Sequence, residues 1–252
     1  MLLAVDIGNT NIVLGVYQKK DLIIQERIKT KLALDKEEFK ERISCLFSQN
    51  KEKINIKQII LSSVVPSLKE IAVSGFQEIF SRPPLYLKIE DLKEIIKIEY
   101  PSPSEIGVDR IVSAIAAKEL YGFPAIIVDL GTAITFDVLS EKGAYLGGAI
   151  TPGLEISMVT LFERAALLPK AKIIKTEKIM GMDTVSSMQS GVYFGFRYLI
   201  EGIIKKIQDE LNMKALIVIT GGWAEIYRGE IRADFIDPCL ILEGLRIIAE
   251  KN

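Results

Sequence analysis

Residues 4–11 read Ala-Val-Asp-Ile-Gly-Asn-Thr-Asn, and residues 127–134 read Ile-Val-Asp-Leu-Gly-Thr-Ala-Ile. In each stretch an apolar run ends on an aspartate, a glycine and a threonine follow, and a second apolar run begins. This pattern is typical of a strand, a tight turn and a returning strand. Its repetition about half a chain apart indicates an internal duplication.

The pattern around the two turns predicts two α/β lobes. The first half predicts strands at 2–7, 11–17 and 21–29, a helix from Asp35, a strand at 58–65, a helix at 67–80, an extended piece at 85–87 and a helix at 104–121. The second half predicts strands at 125–130, 133–139, 144–150 and 215–220, and helices at 153–167, 183–211 and 238–250.

Three antiparallel strands followed by alternating helices and strands, twice over, predict duplicated lobes with mixed sheets flanked by helices. Gly122 and Pro124 are typical of a turn, which predicts that the boundary between the two lobes separates residues 1–122 from residues 123–252. The segment from Pro169 to Met182 shows no period and is predicted to be a loop.

Composition excludes several classes of function. The 252 residues are 49% apolar and carry a net charge of −1, so we expect no nucleic-acid footprint. No apolar run approaches the roughly 18 residues of a membrane span, and Asp6 interrupts the first apolar run, unlike a signal peptide. With only two cysteines, a cytoplasmic setting is expected. Histidine is absent, which leaves carboxylates as the main acid–base candidates.

The first turn, Asp6 to Asn11, suits a phosphate and its metal ion. Gly8 permits a positive φ, amides at such a turn can approach phosphate oxygens, and Asp6 can hold Mg²⁺ directly or through water. The alternative is a plain hairpin turn. The second copy at Asp129, Gly131 and Thr132 favours a functional turn, because a bare turn gives no reason to repeat the aspartate.

A third candidate is Gly107-Val108-Asp109-Arg110, near the start of an otherwise apolar helix. On spacing alone, a surface Asp–Arg pair in the first helical turns is the simpler interpretation. In a chain without histidine, however, an aspartate beside an arginine can serve as base and anion anchor. Weaker signals are Gly147-Gly148, Thr151-Pro152-Gly153 and Thr220-Gly221-Gly222, which suit close approach of a ligand to the backbone.

The long helix after Asp183, its predicted N-cap, carries more apolar surface than one face requires. We therefore expect it to pack against a twin helix in a homodimer, although an intramolecular core would produce the same pattern. The apolar positions are Val185, Met188, Val192, Tyr193, Phe196, Leu199 and Ile203.

Taken together, these motifs resemble the type III pantothenate kinases of the actin, sugar-kinase and heat-shock-ATPase superfamily. The resemblance runs nearly end to end and depends mainly on the block from Asp6 to Asn11 and the block from Gly107 to Arg110. It implies two ribonuclease-H-like lobes with a nucleotide cleft between them. It also implies transfer of the ATP γ-phosphoryl group to pantothenate, the first step of coenzyme A biosynthesis.

The resemblance implies a role for each candidate residue. Asp109 is expected to be the catalytic proton acceptor. Asp129 is expected to bind a monovalent cation, K⁺ or NH₄⁺, and Asp6 to hold Mg²⁺ through water. The expected pantothenate contacts are Tyr100, Gly107, Val108, Asp109, Arg110 and, from a partner subunit, Thr184. The expected ATP contacts are Asp6, Ile7, Gly8, Asn9, Thr10, Asn11, Ile12, Val13 and Thr132.

Three places depart from the family pattern, and one of them is the approach Tyr100-Pro101-Ser102-Pro103-Ser104, which differs from the usual sequence there. Val108 stands where alanine is expected and could narrow the pocket, and Asp183 stands where asparagine is expected, which adds a negative charge near a carboxylate-bearing substrate. The alternatives are another small-alcohol kinase or a phosphatase of the same superfamily, or a non-enzymatic regulator with the same fold. Intact Asp6, Asp109 and Asp129 disfavour the regulator, because a binding module needs no base.

Overall fold

The computed structural model describes residues 1–31, 33–48 and 54–251. They form two compact units, one made of Met1–Ala116 with Ile241–Asn252 and the other of Ala117–Leu240. Each unit is built around a five-stranded sheet.

The sheet of the first unit has the order β3-β2-β1-β4-β5. β1 pairs antiparallel with β2, and β2 with β3, whereas β4 lies parallel to β1 and β5 parallel to β4. The strands are β1 (Leu2–Ile7), β2 (Asn11–Gln18), β3 (Asp21–Lys29), β4 (Gln58–Ser63) and β5 (Leu85–Tyr86).

The sheet of the second unit repeats this arrangement strand for strand. Its order is β8-β7-β6-β9-β10, with β6 antiparallel to β7, β7 antiparallel to β8, and β9 and β10 added in parallel. The strands are β6 (Ala125–Leu130), β7 (Ala133–Leu139), β8 (Tyr145–Pro152), β9 (Leu216–Thr220) and β10 (Phe235–Ile236). The predicted duplicated α/β fold with mixed sheets is therefore confirmed.

Helices cover the sheets of both units. Their bounds are α1 (Lys36–Ser48), α2 (Pro66–Phe80), α3 (Ile89–Leu92), α4 (Val108–Leu120), α5 (Leu154–Arg164), α6 (Thr184–Leu211) and α7 (Leu240–Lys251). In the first unit, Phe39 of α1 and Phe76 of α2 pack edge to face, 5.2 Å between ring centroids, within the core on one sheet face. In the second unit, α5 and α6 bury Met158, Val192 and Phe196 against the sheet.

The last helix joins the first unit rather than the second. Gln58 of β4 donates to the carbonyl oxygen of Ala249 in α7 at 3.2 Å, and Tyr17 of β2 donates to Glu243 at 2.9 Å. A Cβ on Gly244 would lie 2.3 Å from the carbonyl oxygen of Val112, so α7 crosses α4 closely there. The division expected from sequence, 1–122 and 123–252, thus differs from the compact units in two ways: the division lies between Ala116 and Ala117, and residues 241–252 belong to the first unit.

Several element ends also differ from the predicted ones. The helix predicted over 104–121 begins at Val108, because Pro103–Glu105 forms a separate 3₁₀ turn and Ile106 is extended. The short elements α3, the 3₁₀ turn Ala224–Tyr227 and β10 were not predicted. The segment 169–182 contains neither helix nor strand, as predicted. Among the described residues, no helix combines the length and apolarity needed to cross a membrane.

Candidate active site

The first turn joins β1 to β2 and presents Asp6 at the carboxyl end of β1. The Gly8 amide donates to the Asn11 carbonyl at 2.9 Å, and the Thr30 hydroxyl donates to the Gly8 carbonyl at 2.7 Å. Gly8 does not have the positive φ that its sequence context suggested. It is instead close to backbone, since a Cβ there would be 3.2 Å from the Asn11 oxygen.

A serine that sequence analysis missed fixes the Asp6 side chain. Ser62 lies directly opposite Asp6 in the parallel β1–β4 ladder and is fully buried. Its hydroxyl donates to Asp6 Oδ1 at 2.7 Å. The carboxylate is therefore oriented by the neighbouring strand, a relation that only strand pairing creates.

Asp109 lies in the first turn of α4, where a carboxylate also suits the helix dipole. Its Oδ1 accepts from the Arg110 amide at 2.9 Å. A Cβ on Gly107 would lie 2.3 Å from Asp109 Oδ1, closer than any side chain allows. Glycine at position 107 thus makes room for the Asp109 carboxylate, which explains why a glycine lies two residues before this aspartate.

The second turn, between β6 and β7, presents Asp129 in the same way. The Gly131 amide donates to the Ala133 carbonyl at 3.2 Å. Two glycines lie against the Asp129 carboxylate: a Cβ on Gly221, where φ is +93°, would be 2.3 Å from Oδ1, and one on Gly131 would be 3.3 Å away. These glycines form a cradle that larger residues would fill.

Other predicted site residues occupy turns and helix starts. The carbonyl of Thr132 accepts from the Gly153 amide at 3.1 Å, and a Cβ on Gly153 would be 2.3 Å from that oxygen. Tyr100 lies in the irregular segment before the 3₁₀ turn and is 36% exposed. Thr184 is the first residue of α6 and is exposed. Val108 is buried, 8% exposed.

Asp183 caps α6, as predicted. Its side chain accepts from the Ser186 amide at 2.9 Å, and the Ser186 hydroxyl lies 3.1 Å from the Asp183 amide, which donates to it. The Ser186 amide, and after it the Ser186 side chain, hold the pKa of the Asp183 carboxyl group below its ordinary value. The added charge at this position therefore has a local structural role.

The apolar residues of α6 are used differently from the expectation. Met188, Val192, Tyr193 and Phe196 are buried in the core of their own unit, and Leu199 and Ile203 pack against it in part. Only Val185 of the predicted set is exposed, at 36%. Most of the apolar residues from which a twin helix was predicted are therefore buried within their own unit.

An open apolar groove of about 770 Å³ nevertheless runs beside α6. Met182, Thr184, Gly191 and Gly195 are among the residues that line it, and nothing lies within 4 Å of where the Cβ atoms of the two glycines would be. Met182 and the nearby Leu167 are 95% and 94% exposed. This surface is unusually apolar for one that faces water.

No three His, Cys, Asp or Glu side chains cluster into a metal site in the part of the chain that the structure describes. Mg²⁺ in kinases is held by few carboxylates and by substrate phosphates and water, so a single carboxylate at the first turn is compatible with it.

Comparison with known proteins identifies relatives over the whole chain. A sequence model of the type III pantothenate kinases matches residues 2–206. A type III pantothenate kinase of Moorella thermoacetica is 42% identical over 258 residues, covering all of both chains. One of Desulforapulum autotrophicum is 40% identical over 254 residues, covering all of this chain and 97% of its own.

Solved structures share the fold at lower identity. A protein described as a Baf family transcriptional activator from Campylobacter jejuni is 20% identical and superposes with a TM-score of 0.61 over 99% of this chain and 98% of its own. A polyphosphate- and ATP-dependent glucomannokinase of an Arthrobacter strain is 14% identical. It superposes with a TM-score of 0.52 over 100% of this chain and 99% of its own. At these identities the likeness concerns the fold alone.

Proposed function

This chain belongs to the type III pantothenate kinase family, and from that membership we propose which of its residues carry the reaction. The enzyme transfers the γ-phosphoryl group of ATP to pantothenate, the first step of coenzyme A biosynthesis. The observation that carries this function is the end-to-end match at 42% identity. We place the reaction in the cytoplasm. Thiols are kept reduced there, which suits a chain that has only two cysteines.

Asp109 is the proposed general base. An alcohol is a poor nucleophile at neutral pH, and a carboxylate that accepts its proton as the P–O bond forms accelerates the transfer. Gly107 supports this role, because a Cβ at that position would lie 2.3 Å from Asp109 Oδ1 and would displace the carboxylate. Arg110, the next residue, is the proposed anchor for a polar or anionic group of pantothenate.

The first turn is the proposed phosphate site. Residues 6–13 supply the Asp6 carboxylate and backbone amides of the turn, and Thr132 is a further proposed ATP contact. Mg²⁺ would neutralise charge on the phosphates, with Asp6 holding it through water. The hydrogen bond from Ser62 supports this assignment, since it fixes the carboxylate in one orientation.

Asp129 is the proposed ligand of a monovalent cation. Its surroundings fit K⁺ or NH₄⁺: the carboxylate is cradled by Gly131 and Gly221, and its strand partners are Thr135 and Thr220, both with hydroxyl oxygens. Hard oxygen donors are the ligands that such cations prefer. The cation would add positive charge to the catalytic site.

Pantothenate is proposed to contact Tyr100, Gly107 to Arg110, and Thr184 of a partner subunit. The support for a homodimer is the apolar groove beside α6, with Met182 and Leu167 almost fully exposed on the same unit. A second copy would cover this surface, and Gly191 and Gly195 would let its backbone approach closely.

The test is an assay of ADP release with pantothenate, with and without K⁺. We expect ADP release that requires pantothenate and rises with K⁺. A panel of small alcohols and sugars separates pantothenate from other acceptors, and absence of turnover with every acceptor would favour a regulator instead.

A further inference from the structure

A buried carboxylate with no part in the mechanism above lies two residues beyond Thr135 on β7. Asp137 is 1% exposed and is the only carboxylate fully buried among the residues that the structure describes. Its Oδ1 accepts from the Tyr145 hydroxyl at 2.7 Å, and its Oδ2 accepts from the Thr135 hydroxyl at 2.9 Å. A buried charge is costly, so an arrangement that retains one calls for a reason.

Strand pairing brings this network to Asp129. Thr135 lies directly opposite Asp129 in the antiparallel β6–β7 ladder, and Thr220 lies opposite it in the parallel β6–β9 ladder. Residues paired in this way share one face of a sheet, with Cβ atoms about 4.5–5.5 Å apart in an antiparallel pair. Asp137 follows Thr135 by two residues and therefore shares that face.

The direction of the Thr135 hydroxyl proton matters for a cation. A hydroxyl has one proton to donate and two lone pairs, whereas an ionised carboxylate only accepts. Because the proton of Thr135 goes to Asp137, the lone pairs of its oxygen remain for the side of Asp129. Without Asp137, the same hydroxyl could donate to Asp129 and compete with a cation for the carboxylate.

We propose that Asp137 is a positioning residue of the monovalent-cation site, which orients the Thr135 hydroxyl so that its oxygen faces the cation held by Asp129. Tyr145, itself fully buried, holds the other carboxylate oxygen and so fixes the plane of the Asp137 group. The inference rests on the proposed function, because it presupposes that the cation binds at Asp129. Outer carboxylates of this kind commonly orient the groups that ligate a metal.

The experiment compares Asp137→Asn and Thr135→Val with Thr135→Ser, which keeps the hydroxyl. Two quantities are measured: the shift of Tm caused by KCl relative to choline chloride in protein without substrates, and the K⁺ concentration for half-maximal activity. We expect the first two variants to need about tenfold more K⁺ in both measurements. Thr135→Ser should respond as wild type does, and KM for pantothenate should stay within about twofold in all three.

Tyr227→Phe is the matched control, because it also removes a buried tyrosine hydroxyl of this unit, one that donates to the Tyr193 carbonyl at 3.0 Å. It should lower Tm and leave the K⁺ response unchanged. A folded Asp137→Asn with the wild-type K⁺ response would overturn the proposal, and so would an unchanged response of Thr135→Val should Asp137→Asn fail to fold. If Asp129→Ala also shows the wild-type response to K⁺, the assignment of the cation to Asp129 is wrong. If the wild type releases no ADP with pantothenate, the proposed function fails.

Discussion

The Asp109 carboxylate can be tested by a change of one atom. Asp109→Asn keeps the shape of the side chain and removes its ability to accept a proton, so turnover should fall by about two to four orders of magnitude. Steady-state ADP release measures this, with circular dichroism to establish that the fold is intact. Glu105→Gln, which removes an exposed carboxylate from the preceding turn, should leave turnover unchanged. If the turnover of Asp109→Asn stays within a few-fold of the wild-type value, Asp109 has only a structural role.

Asp129→Ala should weaken activation by K⁺ more than it affects pantothenate binding, because the cation site loses its anionic ligand. The measurements are activity as a function of K⁺ and KM for pantothenate. Asp209→Ala, which removes an exposed carboxylate from α6 of the same unit, is the control. Activity that rises with K⁺ as in wild type would place the cation elsewhere.

At the scale of single residues, sequence identified the groups that carry the candidate chemistry but not their supports. Asp6, Asp109 and Asp129 stand out because each interrupts an apolar run or helix. Ser62 and Thr135 do not, because their importance comes from lying opposite an aspartate in a neighbouring strand. The register between strands that are distant in sequence is set by the packed core, which a local pattern does not contain.

At the scale of elements, long periodic segments were predicted well. The helix after Asp35 begins as its capping pattern indicates, with the Glu38 amide donating to Asp35 Oδ1 at 2.8 Å. The two-residue strand β10 was missed, since two residues define no period. The apolar face of α6 was predicted correctly, but the pattern could not say whether the chain's own core or a second copy covers it.

The helix α7 carries a partly buried charge cluster around Arg246 that offers an element-scale prediction. Arg246, 4% exposed, donates to Glu243 at 2.9 Å and pairs with Glu250 at 2.8 Å, with Glu243 also accepting from Tyr17. Arg246→Ala should lower the free energy of unfolding by about 2 kcal/mol, because the charged hydrogen bond from its buried guanidinium to Glu243 is lost.

Urea unfolding followed by circular dichroism measures this loss. The control is Arg228→Ala, whose guanidinium pairs with Glu225 at 2.6 Å, with both side chains 57% exposed. Exposed pairs contribute little, so this variant should unfold like wild type. Equal effects of the two substitutions would mean that burial does not strengthen the Arg246 cluster.

At the scale of the whole molecule, the proposed dimer predicts complementation between two inactive chains. An Asp109→Asn chain mixed with a Thr184→Ala chain should recover some activity. If Thr184 serves the partner's site, one site in the mixed dimer carries both lesions and the other carries neither. The measurements are ADP release after subunit exchange and the mass of the assembly by light scattering.

The control mixes the Asp109→Asn chain with a chain that carries both substitutions, and no activity should return, because every site then lacks its base. A monomer at micromolar concentration would contradict the shared site. So would a lack of recovery after exchange between the two single variants has been demonstrated.

The first unit is discontinuous in sequence, because residues 241–252 complete it and the whole of the second unit lies between. Domains generally fold in the order in which the ribosome releases them, from the amino terminus onward. The second unit, continuous from Ala117 to Leu240, is complete first, whereas a nascent chain that has not yet released α7 still lacks the helix that covers Tyr17 and Val112.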